Sequence, residues 1–184
     1  MFLSAVRHYW LLSTFRGSPA DSNGSTITIL VLYTILFVLG NATTYLLLSY
    51  LANVFLVFFT GSFVITQTLM MIGILGVLRI RFQQSRFRKT LSSYLGASVV
   101  IAVCSIAVMA VTGVNNLIEF LIYCWNIAIL GYIFHKSIEV KFWFGLLTAL
   151  ALYFVVDIAS SLMTRLVFYE YLIPLITGQS IKPN

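Results

Sequence analysis

Asp157 has the most chemical leverage of any residue in this chain, because it stands inside an otherwise apolar tract. A carboxylate in hydrocarbon costs about 2.5–3.5 kcal/mol even on lenient scales, so it should face a helix bundle or a wet cavity. Glu119 is expected at a similar depth on the preceding span, with Asn115 and Asn116 just above it. Arg165 falls about two helical turns beyond Asp157, too far for a direct pair on one straight helix but within reach of Glu119. With Asn126, read as an interhelical hydrogen bonder, these residues form an expected intramembrane polar cluster: Glu119, Asn126, Asp157 and Arg165. Two kinds of chemistry fit. One is proton or cation binding by Glu119 and Asp157 in a small coupled transporter. The other is a partly hydrated polar lock between helices. The lock is favoured, because transport needs a connected polar path and only Asn126, His135 and Gln67 continue one inward.

Other chemistries lack residues at the right spacing. His8 and His135 have no partner His, Cys or carboxylate at ligand spacing. There is no HExxH, no GxSxG and no phosphate-cradling glycine loop. Cys104 and Cys124 lie in apolar tracts and are expected as small buried residues, with contact across one helical hairpin as the alternative. No enzymatic activity, cofactor or metal is therefore expected.

The basic side chains are the second group with telling spacing. Arg79, Arg81, Arg86, Arg88 and Lys89 fall in one short polar break, interleaved with Phe82 and Phe87. That arrangement suits anionic lipid headgroups or an acidic partner segment. Its plainer role is to anchor the helix ends on either side. The net charge of +6 follows from such orientation signals facing an anionic leaflet, so nucleic acid is not expected as a partner.

The elements that must position these residues are helices in a membrane. Hydrophobic residues make up 60% of the 184 and charged residues only 9%, against about 25% in a soluble domain. Mean hydropathy is +1.00. The expected fold is an all-α integral membrane protein with five transmembrane helices and an N-terminal interfacial amphipathic helix. Residues 1–25 form that helix and a linker, since Phe2, Val6, Tyr9, Trp10 and Thr14 recur at helical spacing and Arg16–Ser25 is rich in turn formers. Residues 26–166 form the transmembrane domain, with spans at 27–48, 53–78, 91–113, 117–134 and 142–163. The first span is expected to be interrupted at Gly40–Thr44, and turns are expected at Ser49–Asn53 and at Val114-Asn115-Asn116. Residues 167–184 form an interfacial tail rich in Tyr and Phe. Small residues four apart, Ser93 with Ala97 and Ser98 with Ala102, are expected to admit a partner helix. This layout puts nine of the eleven Lys and Arg on one side, leaving Arg165 and Lys182 opposite. The N-terminus is then cytoplasmic and the C-terminus on the other side, in a bacterial inner membrane.

Ser85-Arg86-Phe87-Arg88-Lys89-Thr90-Leu91-Ser92-Ser93-Tyr94 leads into a span. After a tight turn, Leu117–Tyr132 carries Trp125-Asn126 and Gly131-Tyr132, and a short polar loop then opens the last helix. Over about residues 80–165 this resembles the Yip-domain family of small membrane proteins. The resemblance implies five spans, a cytoplasmic N-terminus and a non-enzymatic part in membrane organisation or complex assembly. It brings no catalytic residues. GTPase binding is not implied, because only Ser18-Pro19-Ala20-Asp21 stands where eukaryotic members carry a longer acidic segment. The expected function is a scaffold or accessory subunit in a hetero- or homo-oligomeric complex, touching anionic lipid headgroups and other membrane proteins. The alternative is the small proton- or cation-coupled transporter using Glu119 and Asp157.

Overall fold

A computed structural model describes residues 2–47, 53–113 and 115–172, and among these every regular element is helical. Helix α1 is Phe2–Ser13, followed by a 3-10 turn at Pro19–Asp21. Then come α2 (Thr26–Leu47), α3 (Asn53–Ile80), a 3-10 turn at Gln84–Arg86 and α4 (Phe87–Thr112). Helices α5 (Asn116–Ser137) and α6 (Phe142–Thr164) close the bundle, and a π-helix continues over Arg165–Leu172. Helices α3, α4, α5 and α6 are long and apolar enough to cross a membrane, which is compatible with an integral membrane protein. In α2 the apolar stretch Thr26–Ala42 is shorter. Large apolar side chains such as Ile72, Leu117, Trp143 and Phe154 point outward. Helices apolar on both faces are stable only in an apolar surround.

Local signals explain the helix ends. Asn115 caps α5, its side-chain oxygen accepting from the Leu117 N–H at 2.9 Å. Helix α1 stops where the Arg16 N–H reaches Leu11 O at 2.8 Å, and α3 where the Gln83 N–H reaches Leu78 O at 2.8 Å. Each is a Schellman-type end, with Phe15 (φ 62) and Phe82 (φ 57) in the left-handed position that glycine usually takes. The break expected at Gly40–Thr44 does not occur, and α2 runs through it. Asn41 explains why: its Nδ2 donates to Phe37 O at 2.9 Å and its Oδ1 accepts from Thr60 Oγ1 on α3. The amide links two helices instead of opening one. Most of the expected Ser49–Asn53 turn, Val114, and the tail from residue 173 onward lie outside the described residues.

Helices α3, α4, α5 and α6 pack in that order around a ring, with α2 laid against α3 and α4. The tightest joint is α5 on α6, where Gly131 and Gly145 let the two backbones touch. The α3–α4-turn end of α4 is enclosed on all sides, with every residue from Thr90 to Ala97 buried. Ser93 and Ala97 are therefore used within the chain and do not form a face for a partner helix. Part of that enclosure comes from the linker, whose Ser22 bonds Ser93, and part from α1, whose Tyr9 reaches Ser92 and Gly96; Tyr9, Leu12 and Ser13 are buried while Val6 and Trp10 stay exposed. The inward face of α1 is thus rotated from the stripe that spacing suggested: of Val6, Tyr9, Trp10 and Thr14, Tyr9 alone is buried, in a slot over Gly96.

Hydrogen bonds fix α1 in place. Tyr9 OH bonds Ser92 Oγ at 2.9 Å, Trp125 Nε1 donates to Ser13 O at 3.0 Å, and Tyr132 OH donates to Gly17 O at 2.8 Å. The expected linker is also pinned: Ser22 is buried on Ser93 at 2.7 Å, and Lys89 Nζ donates to Ala20 O at 2.8 Å. Two further expectations change. Cys124 is exposed, because it shares the outward stripe of Leu117, Phe120 and Leu121 on α5. Phe168, at the start of the expected interfacial tail, turns inward onto Phe58 and Gly61 of α3.

Candidate functional site

Across the ring, α4 and α6 stand on opposite sides and are not packed as neighbours. The space between them is a cavity of about 270 Å³. Its apolar lining comes from all five long helices and includes Leu36, Met70, Ile101 and Val156. Its polar lining is Thr66 and Gln67 on α3, Tyr94, Ser98 and Ser105 on α4, Tyr123 and Asn126 on α5, and Tyr153 and Asp157 on α6. On each of the last three helices these residues fall three, four, seven or eleven positions apart, which places them on one helical face.

Tyr94 is the floor of the cavity, 5% exposed. Its hydroxyl donates to Gln67 Oε1 at 3.5 Å and lies within hydrogen-bonding reach of Tyr153 and Ser98. The Tyr153 ring meets the Tyr123 ring edge-on, with centroids 5.6 Å apart and planes at 76°. One turn further along α6, the exposed Asp157 stands at the mouth beside Tyr123. Asn126 faces the same space, with its Nδ2 donating to Ile122 O at 3.0 Å. A continuous set of hydroxyl, amide and carboxylate groups thus crosses the bundle from α3 to α6.

The expected polar cluster therefore divides. Asn126 and Asp157 share the cavity, together with Gln67. Glu119 and Arg165 are exposed, line no part of it, and are not ion-paired with each other. His135 is also absent from the cavity, since its Nδ1 bonds Val140 O in the α5–α6 turn. Spacing did not single out the three tyrosines as site residues. The signal for them was present: Tyr94-x3-Ser98, Tyr123-x2-Asn126 and Tyr153-x3-Asp157 are polar pairs at helical spacing on apolar helices.

The basic group divides as well. Arg86 Nη2 sits 2.6 Å from Glu139 Oε1 and its Nη1 donates to Ser137 O at 2.9 Å, so it clamps the α5–α6 turn. Lys89 is engaged with Ala20. The side chains of Arg79, Arg81 and Arg88 make no hydrogen bond or ion pair among the described residues, and Arg79 and Arg81 flank Ile80 (77% exposed) next to Phe82 (92% exposed). Among the described residues, no three His, Cys, Asp or Glu come together as a metal site would require.

Fold and site together define a helical bundle with four membrane-length helices around a largely apolar cavity that carries several polar side chains. No known family model, curated protein or solved structure matches the chain.

Proposed function

We propose that this chain is a five-span membrane protein that binds a small polar solute in its central cavity, with Asp157 as the charged anchor. One observation carries this reading. A carboxylate, two amides, three tyrosines and three smaller hydroxyl side chains converge on one space within helices of membrane length. Polar side chains are costly in hydrocarbon, and gathering them on one space gives a polar solute groups to bind there. The cavity is also one-sided. The end under α1 is filled from Thr90 to Ala97, while its exposed residues, Tyr123 and Asp157, lie toward the α4–α5 turn. In this reading α2 is the fifth crossing, and α1 lies at the cytoplasmic interface and seals that end. The C-terminus is on the opposite side, and the bacterial inner membrane fits the distribution of basic residues.

Thiol accessibility tests the reading. In a Cys104→Ala, Cys124→Ala background, Ser98→Cys and Ser105→Cys should react with a membrane-impermeant maleimide added from the α4–α5 side of sealed vesicles. Val103→Cys, on an outward face, should not. Unreactive positions 98 and 105, or a position 103 that reacts equally, would sink it.

The scaffold or accessory-subunit reading has its own support in Arg79, Arg81 and Arg88, whose side chains are unpaired among the described residues, and in exposed Ile80 and Phe82. Cations and an aromatic at a helix end suit anionic headgroups or an acidic partner. The Yip-domain resemblance points the same way and falls on α4, α5 and α6. Co-purification in gentle detergent, with partners identified by mass spectrometry, separates the two, because a scaffold does not run as a free monomer.

A further inference from the structure

The lining of the cavity selects the charge and shape of what it holds. We propose that its ligand is a small organic ammonium cation, seated against the Tyr123–Tyr153 corner with its charge toward Asp157. This rests on the reading of the cavity as a solute site.

Three observations converge. First, the cavity contains one carboxylate and no Lys, Arg or His, so its field is that of an unbalanced negative charge. An anion would meet Asp157 with nothing to offset it. Second, the Tyr123 and Tyr153 rings stand nearly perpendicular, at 76° and 5.6 Å. Both rings line the cavity, and an aromatic face presented to such a space attracts a cation lacking N–H donors. Tyr153 and Asp157 are four apart on α6, so the carboxylate stands one turn above that corner. Third, 270 Å³ far exceeds a bare ion and lies just under the range of about 300–1,000 Å³ found for small-molecule sites. A divalent metal would call for more charged oxygen ligands than one carboxylate.

The polar groups on the floor complete the fit. Tyr94, Gln67 and Ser98 form a hydrogen-bonded patch that adjoins the aromatic corner through Tyr153. A ligand with an ammonium head and a short hydroxylated tail would satisfy both ends. Choline has that form, and 3,3-dimethylbutan-1-ol is its uncharged isostere, with carbon in place of the ammonium nitrogen. The pair isolates the charge.

The experiment uses the full-length Ser105→Cys protein in the Cys104→Ala, Cys124→Ala background, purified in detergent, and reads the maleimide labelling rate at position 105. Choline should slow labelling in a saturable way, with the neutral isostere needing at least about tenfold more, the scale of a partly desolvated cation–π and carboxylate contact. Asp157→Asn should weaken choline protection by a similar factor. Tyr153→Phe, which keeps the ring, should retain protection, and Tyr153→Leu should lose it. Calorimetric titration of choline into the native chain gives a second measure, independent of the cysteine. Equal protection by the isostere, equal protection by potassium ion, or an unchanged response in Asp157→Asn would each overturn the cation while leaving a wet solute site standing. No labelling at position 105 at all would remove the solute site and the cation together.

Discussion

A Cβ placed on Gly145 would meet the carbonyl oxygen of Gly131 and stand 2.8 Å from the backbone nitrogen of His135. The backbones of α5 and α6 are therefore in contact, and no side chain larger than hydrogen fits between them. The consequence reaches the cavity. Tyr123 lies two turns before Gly131 on α5, and Tyr153 two turns after Gly145 on α6. The crossing point of the two glycines is the pivot that brings those rings edge to edge.

Gly145→Ala should thus destabilise the bundle by about 1–3 kcal/mol, the usual range for overpacking, because what it meets is backbone and cannot step aside. Gly76→Ala is the control. A Cβ there meets nothing within 4 Å, and replacing a helical glycine by alanine gains about 0.5–1 kcal/mol. Thermal unfolding in detergent should rank Gly76→Ala at or above the native chain and Gly145→Ala well below it. Equal melting of the two variants would refute the backbone contact.

Tyr9→Phe tests the docking of α1. It removes the hydroxyl bonded to Ser92 at 2.9 Å, and Ser92 is fully buried. A buried polar group without a partner costs about 1–3 kcal/mol. Since this bond ties α1 to α4, the loss should appear as local release of α1 before global unfolding. Trypsin should then cut faster at Arg16 in Tyr9→Phe than in the native chain, while Trp10→Phe, on the exposed side, should match the native rate. Unchanged cleavage in Tyr9→Phe would show that apolar contact alone holds the helix.

The boundaries of the long helices were legible, because runs of apolar residues punctuated by Asn115 and by the Arg79–Lys89 break state them directly. The internal arrangement was less so. Ser93 and Ala97 satisfy the small-residue rule equally well whether what approaches is a partner helix or another segment of the same chain, such as the linker whose Ser22 bonds Ser93. Spacing along one helix carries no information about which neighbour arrives. Glu119 and Asp157 match in depth by counting, but depth does not fix azimuth: Asp157, though exposed, borders the cavity and Glu119 does not. The tyrosines escaped notice because a tyrosine in a membrane helix reads as bulk until a second and third are found across the same space.

His8 makes stability depend on pH. Its Nε2 lies 2.8 Å from Ser22 Oγ, which is 2.7 Å from Ser93 Oγ, which donates to Lys89 O at 2.8 Å. Each hydroxyl has one proton, so Ser22 donates to Ser93 and the His8 Nε2–H donates to Ser22. Burial lowers the pKa of His8, and the nearby Asp21 carboxylate partly opposes that. The folded state therefore takes up the proton less readily than the unfolded one. Stability is complete above about pH 6.5, the unfolded value, and is lost as pH falls from there through the lowered folded value. The melting temperature of the native chain should drop across that window. In His8→Gln, which keeps a donor at the same place but does not titrate, the drop should be smaller. Parallel curves for the two proteins would show that His8 does not set the dependence.

The proposed five-span topology rests on the distribution of charge, and fusions can test it. In the five-span reading, Arg79, Arg81 and Arg88, whose side chains are unpaired among the described residues, hold the α3–α4 turn on the cytoplasmic side. Alkaline phosphatase is active only outside the cytoplasm and green fluorescent protein fluoresces only within it. Fusions after residue 83 and after residue 139 should fluoresce and lack phosphatase activity. Fusions after residue 115 and at the C-terminus should do the reverse. If α2 does not cross, the N-terminus moves to the side opposite the α3–α4 turn, and a fluorescent protein fused before Met1 should be dark. A bright N-terminal fusion together with a phosphatase-active C-terminal one requires an odd number of crossings, and with α3 to α6 accounting for four, α2 is the helix that supplies the fifth.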